Sequence, residues 1–381
     1  MINKNTKKLL VAAFTLTGTI IGAGILGLPY VFSQAGFLSG LFWLFFLTAV
    51  ILYVGLSIGE ISLRTREKKM LSGYAEKYLG KTAKKITAFA VIFGIYSALL
   101  AYLIAEGQSL SNLFFGNANY SFYFGFVFWI ILTALIYGGL NKLKHVASFG
   151  VSGVIALILF LFFFLSPKIN WQNIQFSGIQ GINFLFPFGV ILFALLGFIS
   201  IPELEIELKN EKKLLKKAII IGTIIPVVLY LFFVLTFVGV SGRSVNEIAT
   251  LSLNGFIGKI LILLGVFTMT TSYFVLSFVL KDTLSFDLNI KKGIFVLVSL
   301  VPLAVYTLIN FFDLAGFVSV ISLGGSISGG ITAIMVLIIN KIAKKQGNEK
   351  PAYSIFSNWV IITLLGLIFI FGVVFEIIHF S

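Results

Sequence analysis

Uncharged apolar stretches of about 20 residues recur from one end of this chain to the other, the length of a helix that crosses a bilayer. In lipid every backbone amide and carbonyl must find its partner within the protein, so only helices and closed barrels can span. The stretches are about twice as long as barrel strands, and helices are therefore expected. Composition agrees: 59% of the 381 residues are hydrophobic and 11% are charged, where a soluble domain carries about 25%. The expected fold is an all-α integral membrane protein, one transmembrane domain over 1–381. Its eleven spans fall at 9–31, 38–59, 86–111, 120–139, 146–166, 183–204, 217–240, 256–280, 293–309, 312–339 and 357–377.

The formal net charge of +14 is a topology signal. With the N-terminus inside, every Lys and Arg except Lys168, Arg243 and Lys259 falls on the inner side, so the positive-inside rule fixes a cytoplasmic N-terminus and an outer C-terminus. The basic charge is thus accounted for without nucleic acid. The inner loop 62–85, "SLRTREKKMLSGYAEKYLGKTAKK", is expected to lay an amphipathic helix on the membrane surface. The chain has no cysteine, which excludes a disulfide frame, a thiolate nucleophile and a cysteine-ligated metal. The basic start "MINKNTKK" leads into an apolar run without a small-residue cleavage region, so the first span is expected to be retained.

Two spans are irregular. The first carries Gly18, Gly22, Gly24, Gly27 and Pro29, and the sixth reads "LFALLGFISIPELE" with Gly197 and Pro202. They open two groups of five spans, 9–166 and 183–339, with 357–377 left over as an extra helix. Glycine- and proline-interrupted spans at matching places in two halves point to an inverted-repeat transporter with its site at the midplane.

Within the first span, Gly22-Ala23-Gly24-Ile25-Leu26-Gly27 has the form of a dinucleotide fingerprint. That motif needs a strand before it and an acidic residue about 20 positions later. Here the chain is still apolar at that point ("FFLTAV"), so no nucleotide is expected. Gly18 and Gly22 also fit close helix packing as a small-xxx-small pair. The reading preferred here is a break in the helix. Glycine tolerates non-helical angles, and a break frees amides at a helix N-terminus, where the dipole favours an anion such as a carboxylate. In the sixth span Gly197, Phe198, Ile199 and Ser200 precede Pro202, whose missing amide frees the carbonyl of Phe198 for an ammonium group. A carboxylate at one break and an ammonium at the other suit an α-amino acid.

"GTIIGAGILGLPYVFSQAGF" resembles the first span of the aromatic and hydroxy amino acid permeases, in the amino acid, polyamine and organocation transporter superfamily. "LFALLGFISIPELEIELKNEKKLLKKAI" and "TSYFVLSFVLKDTLSFD" are similar to the sixth and eighth spans of such permeases. The resemblance implies that the Ala23 and Gly24 amides hold the substrate carboxylate, with Thr19 and Gly22 shaping the break. It implies an aromatic gate at Phe193 and an amine and side-chain pocket along the Gly197, Phe198 and Ile199 backbone. In sodium-coupled relatives a hydroxyl pair on the eighth span completes a cation site; here that matches Thr271 and Ser272 with the carbonyls of Gly18 and Ile21.

Spacing alone puts Thr268, Thr271 and Ser272 on one helix face. Hydroxyls so placed either line a site or bond their own i−4 carbonyls. A proton is the competing coupling ion, because an ionisable residue within the membrane is a functional candidate. Glu203, after the sixth-span break, is the first choice; Glu106 is expected to be exposed near the outer end of the third span, and Glu60 and Asp313 at the interfaces. The fifth span lacks the lysine that replaces sodium in some proton-coupled members of the superfamily. Tyr96 and Tyr102 either pack or bring a hydroxyl to the substrate carboxylate, and "SLGGSISGG" in the tenth span suits close packing. His145 and His379, isolated at span ends, form no metal or catalytic set.

The expected function is secondary active transport of an amino acid with an aromatic or large neutral side chain, driven by Na+ or H+. The partners are that substrate, the ion and the lipid bilayer, with no cofactor, nucleotide or nucleic acid. A broad neutral amino acid permease is the alternative, and an exporter the more distant one. No catalytic constellation supports an enzyme, and no filter or ring of charge supports a channel.

Overall fold

The computed structural model describes residues 4–137, 143–174, 181–208, 211–253, 255–290 and 292–380. The described residues are predominantly helical, with no strand among them. Helices α1 (Lys4–Ile20) and α2 (Gly24–Ala35) form the first span and meet at 59°. Then come α3 (Phe37–Arg64), a short α4 (Leu71–Leu79), α5 (Lys81–Phe115), α6 (Ser121–Tyr137) and α7 (Leu143–Leu165). The sixth span is split into α8 (Pro187–Ala194) and α9 (Ile201–Glu207), and α10 (Leu215–Ser241) and α11 (Gly255–Asp282) follow. The remainder is α12 (Val301–Phe312), α13 (Phe317–Leu323), α14 (Gly330–Gln346) and α15 (Trp359–Phe380). Among the described residues seven helices are long and apolar enough to cross a membrane, and the bent pair makes an eighth. Three shorter apolar helices stand where the fourth, fifth and ninth spans are expected.

The breaks fall where glycine weakens the helix. Residues 21–23 leave the helical path between α1 and α2, and residues 195–197 leave it between α8 and a single tight turn, Phe198–Ser200. A third irregular segment, a π-helical turn at Gly324–Gly329, joins α13 to α14. Its glycines serve packing: a methyl on Gly325 would strike the Gly189 carbonyl and sit 2.6 Å from the Phe193 amide nitrogen.

Helix α5 and the tenth span are the most enclosed elements, each with 72% of its apolar stretch buried. By contrast, α15 is one-third buried and packs at the edge. Its exposed Val360, Leu364, Leu367 and Phe371 recur at helical spacing, the face a lipid-bathed helix presents. On its other side Glu376 accepts a hydrogen bond from Ser322 of α13 at 2.6 Å.

The inner-surface helix differs from expectation. The apolar side of α4 turns into the protein rather than into lipid, because Tyr74 and Tyr78 find buried hydroxyl partners in Ser62 (3.1 Å) and Thr65 (2.7 Å) at the end of α3. Glu60, expected at the interface, is wholly buried nearby. Arg64 and Lys344 pair with it at 2.8 and 3.0 Å, and Ser354 and the Ile355 amide donate to it at 2.7 and 3.0 Å. The segment 347–358 is thereby strapped across the end of α3. Tyr353 and Tyr53 reinforce it through the carbonyls of Leu56 and Phe356.

Candidate functional site

The two breaks cross each other. A methyl on Gly24, the first residue of α2, would lie 2.6 Å from the Ala194 Cα at the end of α8, so only glycine allows this approach. In return, Gly197 of the sixth span packs directly on Ile20, the last residue of α1. The seventh span holds the crossing together. The buried Tyr230 hydroxyl of α10 bonds the Ile20 carbonyl at 2.9 Å and the Ala194 carbonyl at 2.7 Å. One turn structure further along, Thr17 donates to the Gly222 carbonyl at 3.3 Å, and Gly222 lets α10 close on Ala13 and Leu16.

The start of α2 is an open helix N-terminus. Ala23 precedes it with no side-chain cap, and of the first amides Leu26 donates to the Ala23 carbonyl at 3.0 Å. The amides of Gly24 and Ile25 head the helix, where unsatisfied donors and the dipole favour negative charge. The Ala23 amide meets the hydroxyl of Tyr102, a buried residue of α5 that also pairs with Ser272 of α11. That hydroxyl stands 3.2 Å from where a methyl on Gly22 would be.

A cavity of about 50 Å³ lies against this break. Ile21, Gly22 and Ala23 form one wall, Thr268 and Ser272 another, and Thr250 closes it with a buried hydroxyl that has no hydrogen-bond partner among the described residues. The space suits a small ion or a few waters and is too small for an aromatic side chain.

The structure therefore gathers Ile21, Gly22, Ala23, Thr268 and Ser272 around one cavity, with Tyr102 joined to its walls through Ala23 and Ser272, and Gly24 and Gly197 at the crossing beside it. Other expected residues lie elsewhere. Gly18 is outside the cavity wall, and Thr19 is exposed with its hydroxyl bonded to the Thr15 carbonyl at 3.0 Å. Phe193 is half-buried against Gly324 of the tenth span. Phe198 is buried and Ile199 half-buried, both away from the cavity. Glu203 is exposed, so the burial expected to make it a proton carrier is missing. The side chains of Thr271, His145 and His379 lie outside the described residues.

The sixth-span carbonyls are less free than expected. Pro202 does remove an amide, but the chain tightens into a short turn in which the Ile201 amide donates to Phe198. Likewise the Ser200 amide and hydroxyl both donate to the Gly197 carbonyl, at 3.1 and 2.8 Å. An ammonium here would use the remaining lone pairs.

One feature went unread in the sequence and one was misread. Tyr230 is a lone hydroxyl in an apolar run, and a buried tyrosine hydroxyl usually requires a partner. Glu106 is wholly buried, not exposed, and neither carboxyl oxygen has a hydrogen-bond partner among the described residues. Its helix runs on to Phe115, which carries Glu106 roughly two turns inside the end.

Comparison with known proteins decides the family. The model of the tryptophan/tyrosine permease family matches residues 5–379. The chain belongs to that family. The chain is accordingly a multi-pass membrane protein of a family of amino acid transporters, not of enzymes. It is similar to glutamine transporter 2 of Aliivibrio fischeri, 26% identical over 64% of this chain and 64% of the relative. It is also similar to the tyrosine-specific transport system 1 of Haemophilus influenzae, 26% identical over 58% of this chain and 55% of the relative. The low affinity tryptophan permease of Proteus vulgaris is 29% identical over 62% of this chain and 59% of the relative. The matched region thus spans somewhat under two thirds of each of these proteins.

Proposed function

We propose that this permease carries an amino acid with an aromatic or large neutral side chain across the cell membrane by alternating access, driven by a gradient of Na+ or H+. The observation that carries the reading is the crossing of two broken helices at Gly24 and Ala194 beside an uncapped helix N-terminus. The substrate carboxylate binds the Gly24 and Ile25 amides, with the Ala23 amide and Tyr102 hydroxyl beside them, and the ammonium takes lone pairs of the sixth-span carbonyls. The present cavity is small, so the side chain is admitted only when the spans separate. Spans one, two, six and seven rock against the rest, exposing the site to each side in turn.

The relatives named for tyrosine and tryptophan favour an aromatic substrate, whereas the one named for glutamine favours a broader neutral range. The hydroxyl-lined cavity at Thr250, Thr268 and Ser272 favours Na+, since hard oxygen ligands suit it; a buried carboxyl favours H+. Uptake of labelled tryptophan, tyrosine, phenylalanine, leucine and glutamine into proteoliposomes, under a sodium or a proton gradient separately, tests both choices. Accumulation of one of them against its gradient is expected. No accumulation and no exchange of any would overturn the reading.

A further inference from the structure

Glu106 is the carboxyl that the fold spends most to keep. It is fully buried in α5, the most enclosed helix, and both of its oxygens lack hydrogen-bond partners among the described residues. An ionised carboxylate in such surroundings is costly, and intramembrane acids without a structural partner mark ion pathways. Its place is specific. Glu106 follows Tyr102 by four residues, on the same helix face about 6 Å along the axis. Tyr102 in turn touches the Ala23 amide and Ser272, the two walls of the cavity at the first-span break.

Among the described residues the surroundings supply no counter-charge. Of the elements packed on α5, α6 carries Tyr123 and Tyr137, α11 carries Lys259, Tyr273, Lys281 and Asp282, and α12 carries Tyr306. Tyr306 donates to the Ser121 carbonyl at 3.1 Å, and Tyr273 has a buried hydroxyl with no partner among the described residues. Lys259, Lys281 and Asp282 are exposed, the charges of α4 and α14 belong to the opposite end of α5, and among the described residues no charged side chain acts on Glu106.

We propose that Glu106 is the proton-binding group that couples substrate to H+ in this permease, acting one helical turn from Tyr102, whose hydroxyl meets the Ala23 amide at the first-span break. The proposal rests on the reading of the chain as a cation-driven amino acid transporter. When ionised, Glu106 repels the carboxylate that the first-span break must bind. Taking up one proton turns the carboxylate into a neutral acid and removes the repulsion, so proton and substrate each favour the other's binding. Release of the proton on the inner side returns the carboxylate and expels the substrate. Glu106 is a positioning and coupling residue; it does not need to touch the substrate.

The test uses full-length wild type and Glu106→Gln in proteoliposomes, with Glu106→Asp beside them and the amino acid that the wild type exchanges. Counterflow at equal pH on both sides is measured first, across a range of pH. Accumulation under an inward proton gradient follows, with a pH dye inside. In the wild type, counterflow is expected to fall as pH rises through the titration of Glu106, and accumulation to bring protons in. Glu106→Gln, an isostere of the neutral acid, is expected to keep counterflow, lose its pH dependence and lose gradient-driven accumulation. Glu106→Asp should keep accumulation with a shifted pH profile.

Accumulation by Glu106→Gln equal to wild type would overturn the proposal. So would loss of counterflow together with accumulation in that variant, an unshifted profile in Glu106→Asp, or a wild type that accumulates with sodium and moves no protons. A wild type that exchanges no amino acid at all would instead refute the transporter reading beneath it.

Discussion

Gly24 brings the first span and the sixth into contact, because its missing side chain is what lets α2 touch the backbone of α8. Replacement by alanine should push these helices apart, at about 1–3 kcal/mol for overpacking a close contact. Membrane insertion should be normal, while uptake in proteoliposomes should fall at least tenfold, and a thermal melt in detergent would report the lost stability. Tyr230→Phe tests the same junction from the other side. It removes one hydroxyl and leaves the Ile20 and Ala194 carbonyls short of a donor, so a loss of about 1–3 kcal/mol is expected. An unchanged melting temperature in that variant would mean that the bridge contributes little. The glycines were legible in the sequence, since glycine inside an apolar helix asks for a reason. Which glycine meets which backbone was not, because that depends on partners 170 or more residues away in the chain. Glu106 was misjudged for a related reason: its depth depends on where α5 ends, and helix ends are the least certain feature of a sequence pattern.

Among elements, the broken spans were readable because helix breakers cluster at the same place in two halves of the chain. The role of α4 was only half readable. Its alternation of apolar and polar residues predicts a covered face, but lipid and protein can both cover it, and the tyrosine pairs to Ser62 and Thr65 decide for protein. The strap 347–358 left no periodic signal at all. It is held by one buried carboxylate, Glu60, that serves Arg64, Lys344, Ser354 and the Ile355 amide. Glu60→Gln should therefore loosen the strap and cost about 1.5–3 kcal/mol for each charge-assisted bond weakened. Limited proteolysis near residue 350 is the measurement, and cleavage at the wild-type rate would count against the clamp.

At the scale of the molecule, the distribution of Lys and Arg predicts which side of the membrane each loop faces. The absence of cysteine makes this simple to test. An impermeant maleimide added to intact cells should label Asn119→Cys, in the turn between α5 and α6. Glu67→Cys, between α3 and α4, should react only after permeabilisation. The reverse pattern would invert the topology.

The bridge at the crossing has a consequence for motion. A phenol has one proton to give, and Tyr230 stands before two takers, Ile20 and Ala194. At any instant one carbonyl receives it and the other waits. Handing the proton's bond from one to the other changes no tally of bonds made. Within the bundle of spans one, two, six and seven the two breaks can thus adjust against each other at this point without letting go, so the junction behaves as a bearing and not as a weld.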